Sequence, residues 1–192
     1  PFWALLEKYV ALAVAGGTNL LLTPCFTPPL DTPVGGERMT CQLVDVTLGN
    51  GGYEFGFDRL DRWVEMARRC GVEYYEIAHL FTQWGAKHAP KIVASVNGHM
   101  QQIFGWDTSA TGDCYVDFLR AYLPALKAEF ARLGVLDRCY FHISDEPSLS
   151  MLEDYRAARD YACHDLQGLP VVDASEGVAL LEENEEHAHE DG

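Results

Sequence analysis

Phe57-Asp58-Arg59-Leu60-Asp61-Arg62-Trp63-Val64-Glu65-Met66-Ala67-Arg68-Arg69-Cys70-Gly71-Val72-Glu73-Tyr74-Tyr75-Glu76-Ile77-Ala78 holds one complete helix-then-strand unit. Leu60, Trp63, Val64 and Ala67 recur at helical spacing and predict an amphipathic helix over 57–70. Asp58 is placed to cap its start, and Gly71 supplies the stop. The strand expected over 72–78 alternates, with Tyr75 and Ile77 on one face and Tyr74 and Glu76 on the other.

The same unit recurs on both sides of this stretch. Residues 2–15 read as a helix and 18–23 as a strand. Phe118, Leu119, Tyr122, Leu126 and Phe130 form one stripe of a helix over 115–133 that Gly134 ends; Pro124 inside it is expected to kink or split it. A strand over 138–144 follows. A fourth helix is expected to begin near Ser150, where Ser150 and Glu153 have capping-box spacing, and a short strand at 170–173 closes the series.

Helix-to-strand links are brief, whereas the first two strand-to-helix links, 24–56 and 79–113, are long. Long loops cost folding entropy and are retained mostly for binding. All would emerge at the carboxyl edge of a parallel sheet, which is the layout of a (β/α) barrel with its site in those loops. A doubly wound nucleotide-binding fold would need a glycine fingerprint between strand and helix, but Gly16-Gly17 precedes its strand. A full barrel has eight strands over ~250 residues. The expected fold class is therefore α/β: a partial (β/α)8 TIM barrel with about four βα units. Its domain would span 1–175, and 176–192 would form an acidic, disordered tail. The rest of a parent chain would complete the barrel, and the start at Pro1 rather than Met suits a piece of a longer protein.

Composition narrows the partners. The chain has 192 residues, 48% of them hydrophobic, enough for a real core. Its formal net charge of -15 argues against nucleic acid or an anionic membrane surface. The apolar run near the start is broken by Glu7 and Lys8, so no membrane span is expected. The six cysteines are scattered singly, without the close pairs of a zinc or redox site, which suits a reducing, cytoplasmic compartment. No metal or other cofactor is signalled. His187 and His189 fall in the acidic tail and receive no role.

The chemistry concentrates at Phe141-His142-Ile143-Ser144-Asp145-Glu146-Pro147, where an apolar strand gives way to a helix. Capping the helix would occupy one carboxylate, not two adjacent ones. Paired acids serve glycoside cleavage, one as proton donor and the other as nucleophile, base or stabiliser. Immediate neighbours are awkwardly placed to flank a sugar from opposite faces, so they better suit substrate assistance. There the sugar's own 2-acetamido oxygen attacks the anomeric carbon. Upstream, Glu76 would point into the barrel near its top, either as a site residue or in an internal hydrogen-bond network. His142 would also face inward, with a hydrogen-bonded core histidine as its plainer reading. In the loop 79–91, His79, Gln83, Lys87 and Lys91 offer hydrogen bonds to hydroxyls around Trp84, whose ring suits the C–H face of a sugar. Trp106 on the same loop reads more readily as an anchor within a small satellite core. Pro28-Pro29-Leu30-Asp31-Thr32-Pro33 reads as a rigid wall.

Together, 28–33, 79–91 and 141–147 resemble the catalytic barrel of glycoside hydrolase family 123, whose members act on β-linked N-acetylgalactosamine. The resemblance runs from about Gly17 to Ala174. It implies Asp145 as the residue that orients the acetamido group, Glu146 as general acid and base, retention of anomeric configuration, and a glycan or glycoconjugate partner. After Ala174 the family's further strands are replaced by the acidic tail. A non-catalytic carbohydrate-binding barrel, or a fragment inactive without its parent, would share most of these features.

Overall fold

The computed structural model describes residues 1–30, 32–83, 86–144 and 151–172. Asp31, Trp84, Asp145, Glu146, the Ser150 cap and the acidic tail lie outside the described residues.

Helix α1 (Phe2–Ala15) leads into strand β1 (Leu20–Thr23). Helix α2 (Asp58–Cys70) precedes β4 (Tyr74–Ile77), and α3 (Asp113–Arg132) precedes β7 (Cys139–Tyr140) by way of a short 3-10 turn. Helix α4 (Leu152–Asp165) is the last. In α2 the expected stripe is buried, and Gly71 ends it at φ +98°, a left-handed conformation that glycine adopts without strain. Asp58 is not the cap, however. Phe57 takes that position without a side-chain bond, and Asp58 lies in the first turn, where the helix dipole favours an acid. Pro124 does not split α3, which runs unbroken for 20 residues. Pro124 and Arg120 are both exposed, so the carbonyl that loses its helical donor faces water.

Strands β1, β4 and β7 form a three-stranded parallel sheet in the order β1-β4-β7, with Leu21 opposite Tyr75 and Tyr75 opposite Cys139. Tyr75, Ile77 and Cys139 are buried, while Tyr74 and Glu76 are half-buried. The expected fourth strand contracts, among the described residues, to a single bridge between Phe141 and Val171. The architecture is mixed α/β.

The two long connections are not loops. Residues 24–56 carry the hairpin β2 (Asp45–Gly49) and β3 (Gly52–Gly56), and 79–113 carry the hairpin β5 (Ile92–Val96) and β6 (His99–Phe104). They join into a second sheet, β3-β2-β5-β6, through parallel pairing of Thr47 with Ser95 and Leu48 with Val96. The Asn97-Gly98 turn has φ of +52° and +79°, the left-handed pair that matches strand twist in a two-residue hairpin. Just before β2, the Gln42 amide links the two hairpins. Its Nε2 donates to the carbonyls of Val44 (2.8 Å) and Val93 (2.9 Å), and its Oε1 accepts from the Val93 N–H (3.1 Å). Phe118 of α3 packs against Tyr53 and Phe104 at ring separations of 5.0 and 5.1 Å, which docks both hairpins on the helix.

Candidate active site

The parallel sheet continues past its strand ends as backbone bonds between two segments. Leu80 N–H donates to His142 O (3.1 Å) and Phe81 N–H to Ile143 O (3.0 Å). The buried Ser144 Oγ then donates to Thr82 O at 2.8 Å. Tyr115 of α3 secures the other side, its buried hydroxyl donating to the Leu80 carbonyl. Segments 79–82 and 142–144 are thus held in register at the carboxyl edge, and Ser144 is the residue that immediately precedes Asp145 and Glu146 in sequence.

Strand alternation aims Glu76 toward this edge, where it meets His142. Nε2 of His142 lies 3.1 Å from Oε1 of Glu76, and the rings of His142 and His79 stand 4.4 Å apart at a tilt of 33°. The hydrogen bond from His142 holds the Glu76 carboxyl below its ordinary range, partial burial opposes that shift, and the charges of His142 and His79 reinforce it. An ionised carboxylate bonded to one of two adjacent imidazoles can orient a polar ligand or hold a proton on an imidazole. Three sequence candidates therefore converge: Glu76, His79 and His142. Of the two readings left open for Glu76, the internal hydrogen-bond contact is present, to His142.

Gln83 is buried close by along the chain, just after Thr82. Lys87 is turned outward, 3.3 Å from Asp154 of α4, so part of its charge is committed to joining loop and helix. A cleft opens beside Thr82, walled by Pro28 and Pro29 from the first connection and by Lys91 and Trp106 from the second. Trp106 Nε1 donates to Gly36 O at 2.9 Å and ties the two walls, leaving its ring along the cleft. Lys91 pairs with Glu37 and also donates to Arg38 O at 2.7 Å. Arg38 went unnoticed in the sequence, as did Ser144 and Thr82, because isolated polar residues in irregular segments carry no periodic signal. The Asn50-Gly51 and Asn97-Gly98 turn pairs would have revealed the hairpins that form the walls.

Among the described residues no group of three or more His, Cys, Asp or Glu side chains gathers as a metal site, and no helix is long and apolar enough to cross a membrane. The sequence profile of the glycoside hydrolase 123 catalytic domain matches residues 2–190. The chain belongs to glycoside hydrolase family 123. A solved relative, a family 123 glycoside hydrolase from Clostridium perfringens described in work on glycolipid glycan hydrolysis, has the same fold with a TM-score of 0.67 at 12% identity. The alignment covers 88% of this family 123 chain but 30% of the clostridial one, so the chain spans under a third of that relative's length. No curated protein matches it.

Proposed function

We propose that this chain contributes the acid pair of a retaining β-N-acetylhexosaminidase, acting on β-linked N-acetylgalactosaminides with assistance from the substrate. Membership of glycoside hydrolase family 123 is the observation that carries the reading. The anchored edge at Thr82 and Ser144 supports it, since the next two residues in the chain are Asp145 and Glu146. In this reading the three parallel strands are an arc of a (β/α)8 barrel. Phe2, Leu5, Tyr9 and Leu12 give α1 an exposed apolar face, in keeping with coverage by the rest of a parent chain.

Asp145 orients the 2-acetamido group, whose carbonyl oxygen bonds to the anomeric carbon as the glycosidic C–O bond breaks. Glu146 gives its proton to the departing oxygen. Glu146 then takes a proton from water, which attacks the same carbon and restores the acetamide. Two inversions leave the configuration retained. On this reading Glu76, His79, His142 and Gln83 line the sugar's position, and Lys87 and Trp84 are further substrate-binding residues.

The test is Glu146→Gln in the full-length parent. Turnover of N-acetylgalactosaminides with poor leaving groups is expected to fall by roughly 10²–10⁴, and an analogue without the 2-acetamido group is expected to resist the wild type. Near-wild-type hydrolysis by Glu146→Gln would overturn the assignment.

A further inference from the structure

We propose that the cleft beside Thr82 is the subsite for the sugar on the leaving side of the bond, and that it selects an acidic sugar by its carboxylate. This rests on the N-acetylgalactosaminidase reading, which puts the cleaved residue at Asp145 and Glu146. The chain passes from there through Ser144, whose hydroxyl holds the Thr82 carbonyl, and Thr82 itself lines the cleft. The neighbouring sugar of a glycan therefore has this cleft within reach.

The cleft's chemistry is cationic in a chain of net charge -15. One nitrogen of Arg38, Nη1, donates to the carbonyls of Pro28 and Leu30 and to Thr32 Oγ1 (3.5 Å), which fixes the guanidinium against the proline wall. None of these acceptors is a carboxylate, and the other guanidinium nitrogens have no hydrogen-bond acceptor among the described residues. A positioned guanidinium with two unused donor groups is the usual partner of a planar carboxylate. Lys91 adds a second cation, its side chain only 18% exposed, and pairs with Glu37, a more exposed carboxylate that also lines the cleft. The ring of Trp106 supplies an apolar wall suited to a sugar's C–H surface. A neutral sugar would offer the two unused guanidinium donors only hydroxyls; a uronic acid or a sialylated sugar would offer them a carboxylate.

Three oligosaccharide substrates separate the cases in the full-length protein: N-acetylgalactosamine β-linked to galactose, to glucuronate, and to a galactose bearing sialic acid. The wild type is expected to show a kcat/KM about tenfold higher on at least one acidic substrate than on the neutral one. Whichever acidic substrate is favoured identifies the source of the carboxylate. Arg38→Met should bring that acidic-to-neutral ratio toward one, and Glu37→Gln, which removes a negative charge from the cleft, should raise it. Opposite movements distinguish charge recognition from simple loosening of the loop. A wild-type ratio near one that neither variant moves overturns the proposal, as does an equal loss on all substrates in Arg38→Met. If even a chromogenic N-acetylgalactosaminide is not hydrolysed, the reaction assignment fails separately. Calorimetric titration with the two acidic oligosaccharides then decides the cleft by the same comparison of variants.

Discussion

Glu76 occupies the half-buried face of β4, opposite the buried Tyr75 and Ile77, and its carboxylate meets the imidazole of His142 at 3.1 Å. Alternation alone placed it on that face; the partner comes from the segment just past β7, more than sixty residues later, and had no local signal. The pairing has a pH signature. Its folded-state carboxyl titrates below the ordinary value of 4.5, chiefly through the His142 hydrogen bond and despite partial burial. The stabilisation it provides is therefore complete above that value and is lost as the pH falls through the lower, folded-state value. Urea unfolding of wild type and Glu76→Gln is expected to show the wild type more stable near neutrality, with the gap closing in strong acid. A gap that stays constant with pH would remove the ion pair from the account.

Among the elements, helices α2 and α3 were the most legible, because an apolar stripe and a terminal glycine are both local features. The hairpins β2–β3 and β5–β6 were missed as strands, although Asn50-Gly51 and Asn97-Gly98 mark their turns. The parallel union of β2 and β5 could not be read at all, since Thr47 and Ser95 are distant in the chain, with a helix and a strand between them. Gly98 tests the hairpin that brings Lys91 and Trp106 to the cleft. At φ +79° a side chain there is strained, yet an added Cβ would meet nothing within 4 Å. Gly98→Ala should therefore cost about 1–2 kcal/mol through backbone conformation alone, visible as a lower thermal midpoint. An unchanged midpoint would mean that the turn tolerates another conformation.

Across the molecule as a whole, the second sheet and the first connection dock on α3 through aromatic packing. Phe118 contacts Phe26 (5.6 Å) from the first connection, Tyr53 from β3 and Phe104 from β6, and is itself fully buried. Phe118→Ala is expected to destabilise the fold by about 3–5 kcal/mol, the range for a large aromatic lost from a packed core; denaturant unfolding would measure it. A loss under about 1 kcal/mol would show that the hairpins dock by other contacts. The amino-acid order was sufficient for the helices and for the inward and outward faces of β4, because each depends on backbone geometry over a few residues. Folding in three dimensions settled the second sheet, the meeting of Glu76, His79 and His142, and the convergence of Arg38, Lys91 and Trp106 on one cleft. Those depend on which distant surfaces bury each other most completely, a competition among packing arrangements that no short stretch of chain encodes.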